Sequence, residues 1–128
     1  MNKIPEICFK TELIFHRFSE CHPILQNIAL EMRNWCVSNN CPFLITASKS
    51  TDAEDRALNR IAKTHKEGRA IDLTSKGWSK EKIEEFIAYF SHKYADVAAI
   101  GINGPRLILY HNSGNGEHFH VQIKPQSV

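Results

Sequence analysis

Two short segments constrain this chain more than anything else in it, because each alternates apolar and polar residues with a period of two. In residues 69–74 (RAIDLT), Ile71 and Leu73 point one way, and Ala70, Asp72 and Thr74 point the other. In residues 118–124 (HFHVQIK), Phe119, Val121 and Ile123 share one side, and His118, His120 and Gln122 share the opposite one. Each segment therefore reads as a strand with one face on a core.

The remaining pattern supplies partners for those strands. Residues 22–37 carry Leu25, Ile28, Ala29, Met32, Trp35 and Cys36 at helical spacing, with Pro23 near the start, and Ser38-Asn39-Asn40 closes the run. Residues 79–94 form the clearest helix, with Ser79 as N-cap, Glu81 in the first turn, and Ile83, Phe86, Ile87, Phe90 and Tyr94 as an apolar stripe. A strand is expected over 42–47 and a short helix over 53–62. Residues 97–102 and 106–110 read as two further strands joined through Asn103-Gly104-Pro105. The second of these, RLILY, is apolar on both faces and reads as a central strand. Helices followed by clustered strands with short turns predict an α+β domain: a small antiparallel sheet with flanking helices, over residues 1–128 as one unit.

The non-core faces of the two alternating strands carry metal-ligand residue types. His65 lies seven residues before Asp72, and Glu117 and His118 lie just before His120. A catalytic zinc takes three protein ligands and keeps one position for water, and His65, Asp72 and His120 meet that count. Gly68 allows a close-packed or tightly turned backbone between His65 and the strand. Each residue also has a plainer reading: His65 as a turn histidine, Asp72 as a solvated charge on an open sheet face, and His118 and His120 as the outer side of an edge strand. Trp35 and Trp78 read as packing residues. His16, His22, His92 and His111 read as surface or capping residues, with His111 closest to suspicion because it ends a strand near the others.

The segments THKEGRAIDL and EHFHVQI resemble the signature of the D-Ala-D-Ala carboxypeptidase and L-Ala-D-Glu endopeptidase family, whose fold is shared by hedgehog signalling domains. The resemblance spans roughly residues 43–124. It implies that His65, Asp72 and His120 hold Zn2+, and that the chain is a zinc metallopeptidase cutting peptidoglycan stem peptides. The bond expected first is L-Ala–D-Glu, and D-Ala–D-Ala second. Glu117 is expected as the general base and His118 as a transition-state stabiliser, although strand alternation favours His118, which shares a face with His120. The chain departs from the family at Lys63, where a serine is usual. It departs again at Ala47-Ser48-Lys49-Ser50, where an arginine-containing run is usual. Lys49 is then the candidate for holding a substrate carboxylate, with Arg56, Arg60 and Arg69 as others.

Composition narrows the rest. Hydrophobic residues make up 42% and charged residues 23%, as in an average soluble domain. A net charge of +2 without a basic stripe argues against nucleic acid as the partner. No run approaches the ~20 apolar residues of a membrane span, and residues 1–18 contain no apolar leader core. The four cysteines, at 8, 21, 36 and 41, form no close pair of the kind zinc sites use and are expected to be reduced thiols. The expected picture is a monomer made in the cytoplasm. It would act on the bacterial cell wall after holin-type release or from a virion, as phage lytic enzymes do. The competing expectation is a zinc-containing module that binds a wall peptide or protein without turnover, or a structural protein of a virion.

Overall fold

The computed structural model describes residues 8–50, 56–57, 67–101, 104–112 and 116–125. The two alternating segments form β3 (Ala70–Thr74) and β7 (Glu117–Gln122), paired antiparallel at the middle of a five-stranded sheet. With β1 (Cys8–Phe9), β2 (Leu44–Ala47) and β6 (Ile108–Asn112), the strand order is β1-β2-β3-β7-β6. A separate two-stranded ribbon joins β4 (Ala99–Gly101) to β5 (Gly104–Arg106).

The fold is α+β, but the sheet is mixed rather than antiparallel throughout, because β1 runs parallel to β2. This strand was not expected. Two residues are too short a run for alternation to be read. The expected hairpin is present as the β4–β5 ribbon, but Gly104 and Pro105, expected in its turn, are strand residues paired with Gly101 and Ile100. The run RLILY, however, is not one central strand. Arg106 ends β5, Leu107 is a bend, and Ile108 begins β6, which closes the sheet at its end. Leu107 and Ile108 are nonetheless buried, so the apolar character of the run reflects cover over an end strand.

Among the described residues there are three helices: α1 (Glu12–Phe18), α2 (Pro23–Ser38) and α3 (Lys80–Lys93). Pro23 starts α2 at a position where its missing N–H costs nothing. The His22 Nδ1 accepts from the Ile24 N–H at 3.1 Å, so this histidine is a cap. Ser79 caps α3 by accepting from the Lys82 N–H at 3.2 Å. The helix expected over 53–62 falls mostly outside the described residues; Arg56 and Ala57 are helical.

One face of the sheet supplies the core. Ile45, Ile71, Leu73, Phe119, Val121 and Ile123 meet Leu25, Ile28 and Met32 of α2 and Phe86 and Phe90 of α3 in a single buried cluster. Aromatic rings join the layers: Phe119 lies 4.9 Å from Phe86 and 4.9 Å from Trp78, and Trp35 stacks on Trp78 at 6.0 Å. Gly68 leads into β3 with φ +69, and a Cβ there would meet the Glu20 carbonyl at 3.2 Å and the Cys21 Cα at 3.3 Å. Its own carbonyl accepts from the His22 N–H at 3.0 Å, which fastens the entry of β3 to the α1–α2 junction.

Candidate functional site

The pleat sends Asp72, Thr74, His118, His120 and Gln122 to the side of the sheet away from the core. In register, Asp72 stands opposite His120 and Thr74 opposite His118. On the other flank, Leu109 stands opposite His120 and His111 opposite His118. Asp72 Oδ1 lies 2.9 Å from His120 Nδ1, with both side chains largely buried (13% and 12% exposed). The His111 ring centroid is 4.4 Å from that of His118 and 6.3 Å from that of His120. Burial, and then the neighbouring His118 and His120, push the His111 imidazole below its ordinary range; Asp72 opposes them.

Both imidazoles of β7 have polar neighbours. Gln122 Nε2 donates to the Arg106 carbonyl at 3.3 Å, which turns Oε1 toward His120 Nε2 at 3.2 Å. His120 Nδ1 lies 2.9 Å from Asp72 Oδ1, so the ring stands between a carboxylate and an amide. For His118, Nδ1 lies 3.3 Å from the Gly116 carbonyl oxygen.

Glu117 lies elsewhere. Alternation along β7 sets it on the side of Phe119, and its Oε2 accepts from the Tyr110 hydroxyl at 2.8 Å. Ser75 completes this group: its Oγ donates to the Glu117 carbonyl at 2.9 Å and lies 2.8 Å from the Tyr110 hydroxyl oxygen. The structure brings Asp72 and His120 into contact, sets His118 on the same face two residues away, and engages Glu117 with Tyr110 instead. Gln122, Ser75 and Tyr110 were not singled out in the sequence. For Gln122 a signal existed, since it is the next residue after His120 on the same face.

Lys49 lines a cleft of about 350 Å³ between α1 and the end of β2, together with Ile14, Arg17, Ala47, Ser48 and Ser50. Ala47 is the register partner of Asp72 across a bulge, so the cleft adjoins the Asp72 strand. Arg69 is engaged otherwise, by Glu67 at 2.6 Å and the Ile123 carbonyl at 2.8 Å. His65, Lys63 and Arg60 lie outside the described residues. Among the described residues no group of three His, Cys, Asp or Glu is arranged to hold a metal ion. No helix among them is long and apolar enough to cross a membrane. Comparison with protein-family models, curated proteins and solved structures finds no match to this chain.

Proposed function

We propose that this chain is a zinc peptidase of the D-Ala-D-Ala carboxypeptidase and L-Ala-D-Glu endopeptidase family, with the hedgehog-like fold that the resemblance implies, acting on peptidoglycan stem peptides. The observation that carries the reading is the 2.9 Å contact of Asp72 with His120 across adjacent strands, on the face turned from the core. Two ligands of one tetrahedral zinc at ~2.0–2.1 Å lie roughly 3.3 Å apart, so these atoms would need to part by only a few tenths of an ångström. A metal-ligating histidine characteristically has its second ring nitrogen engaged by a carbonyl or carboxylate, and His120 Nε2 lies 3.2 Å from the Gln122 amide oxygen. Asp72 and His120 would hold the ion with His65, which rests on the resemblance.

Zinc, when bound, supplies a Lewis acid that polarises a peptide carbonyl and makes water a better nucleophile near neutral pH. The chain's own residues do the rest. His118, on the same face as His120, takes up a proton and returns it to the leaving amine. Glu117, held by Tyr110, fixes where β7 begins and thereby the height of His118 and His120 above the sheet. Lys49 meets a substrate carboxylate as a point charge from the adjoining cleft. The L-Ala–D-Glu bond is the first choice of target and D-Ala–D-Ala the second.

A second reading has one observation in its favour. A zinc-holding module that binds a wall peptide or a protein partner without turnover needs no acid beside the metal, and Glu117 is turned away from Asp72 and His120. Mass spectrometry of purified peptidoglycan after incubation with the zinc-loaded protein, beside a His120→Ala control, separates the two. New stem-peptide termini absent from the control establish a peptidase and name the bond. An unchanged wall with zinc bound stoichiometrically selects the module.

A further inference from the structure

The C-terminal end of α2 closes in a Schellman motif with a cysteine at each end of its longer hydrogen-bonded turn. Asn40 takes the left-handed conformation with φ 56. The Cys41 N–H then donates to the Cys36 carbonyl at 2.9 Å, and the Asn40 N–H to the Val37 carbonyl at 3.4 Å. The motif habitually brings together the side chains at the two positions occupied here by Cys36 and Cys41. The hydrogen bond also bounds the backbone. Given the 2.9 Å N···O distance, standard bond lengths keep the two Cα atoms within about 6.8 Å of each other. Disulfides use Cα separations of about 4.4–6.8 Å. Both thiols are free: Cys36 is buried, and Cys41 is half-buried with its Sγ 3.6 Å from the Asn39 carbonyl oxygen.

From this geometry we infer that Cys36 and Cys41 form a dithiol site that closes to an intramolecular disulfide by exchange with a small-molecule disulfide such as oxidised glutathione. Cys41, the more exposed thiol, attacks as its thiolate and displaces one glutathione thiolate, giving a mixed disulfide. Cys36 then loses its proton and attacks the Cys41 sulfur, displacing the second glutathione. Two protein thiols are oxidised, one glutathione disulfide is reduced to two thiols, and both protons end on glutathione. Burial pushes Cys36 up to about 12, with Cys41 adding to the effect, so the second step speeds up as the solution becomes more alkaline. The disulfide would tie residues 36–41 at a point where the chain is already anchored: the Trp78 indole N–H donates to the Pro42 carbonyl at 2.9 Å, immediately before β2.

The test uses the full chain, equilibrated in glutathione buffers from reducing to oxidising, acid-quenched, alkylated after unfolding and mapped by mass spectrometry. The expected result is joint loss of the Cys36 and Cys41 thiols, with a cross-linked 36–41 peptide two hydrogen atoms lighter and no glutathione retained on either residue. The Cys41→Ser variant, at the half-buried position, should abolish the cross-link and leave Cys36 as a free thiol. Stable glutathione on Cys41 beside a free Cys36 would overturn the inference. So would a cross-link from either residue to Cys8 or Cys21, or two free thiols at every buffer ratio.

Discussion

The two faces of the β3–β7 pair are built from the same ten or so residues and obey different rules. On one face, Ile71, Leu73, Phe119 and Val121 are almost completely buried against α2 and α3, where the requirement is volume and shape. On the other, Asp72, His118, His120 and Gln122 stand in register with only partial cover, and the requirement is that every donor meet an acceptor. A residue spaced by one position along either strand passes from one set of rules to the other. The comparison teaches that rigidity and chemistry are supplied by alternate residues of one backbone, so the imidazole and carboxylate inherit positions fixed by packing on the far side.

The sharpest way to break this comparison is to change one residue on each face. His120→Ala should abolish both stoichiometric zinc uptake and release of stem-peptide fragments while the protein still unfolds cooperatively; retained uptake measured by metal analysis would remove His120 from the site. Phe119→Ala, its immediate neighbour, should do the opposite, lowering unfolding free energy by about 3–5 kcal/mol in a urea titration through the cavity left beside Phe86 and Trp78. Next in size, His118→Ala should cut turnover by roughly 10²–10⁴ with zinc still bound, and Glu117→Gln should cut it much less. A larger loss in Glu117→Gln would return the base role to Glu117.

Smaller effects sharpen the comparison on the polar face. Gln122→Ala should weaken zinc affinity by about 10–100-fold in a competition titration, because His120 loses the amide group that orients its ring. Tyr110→Phe should cost about 1 kcal/mol, since it removes the hydroxyl that serves Ser75 and Glu117. Burial raises the Tyr110 hydroxyl above its ordinary value of 10.0, with Ser75 opposing and Glu117 reinforcing the shift. The stability contributed by the neutral hydroxyl is therefore fully present below about pH 10 and fades as the pH rises further, a loss the Tyr110→Phe variant should lack.

Much of the fold could be read from the sequence wherever a residue's neighbours in the chain decide its surroundings. The helices α2 and α3 announce themselves through apolar stripes and caps, and β3 and β7 through alternation. The segment α1 does not, because Leu13 and Phe15 remain exposed (53% and 52%) and blur the inward-facing stripe. The run RLILY misleads because an end strand covered by other elements is as apolar as a central one. Within the candidate site, Asp72 and His120 share a face by alternation alone, although their register, with Asp72 opposite His120, needed the structure. The direction of Glu117 was harder. Next to Gly116 it reads as a loop residue free to bend, whereas β7 begins at Glu117 itself and alternation carries it toward the Tyr110 hydroxyl.

The bond between Asp72 and His120 joins residues separated by 48 positions. Closing a loop of that size is entropically expensive and is not rewarded until the whole β3–β7 ladder zips together, so pairings of this kind come late on a folding pathway. A chain that has formed its helices but not this ladder has nothing to offer a metal from this pair. Were the chain to take up zinc as proposed, time-resolved uptake would report when this ladder closes.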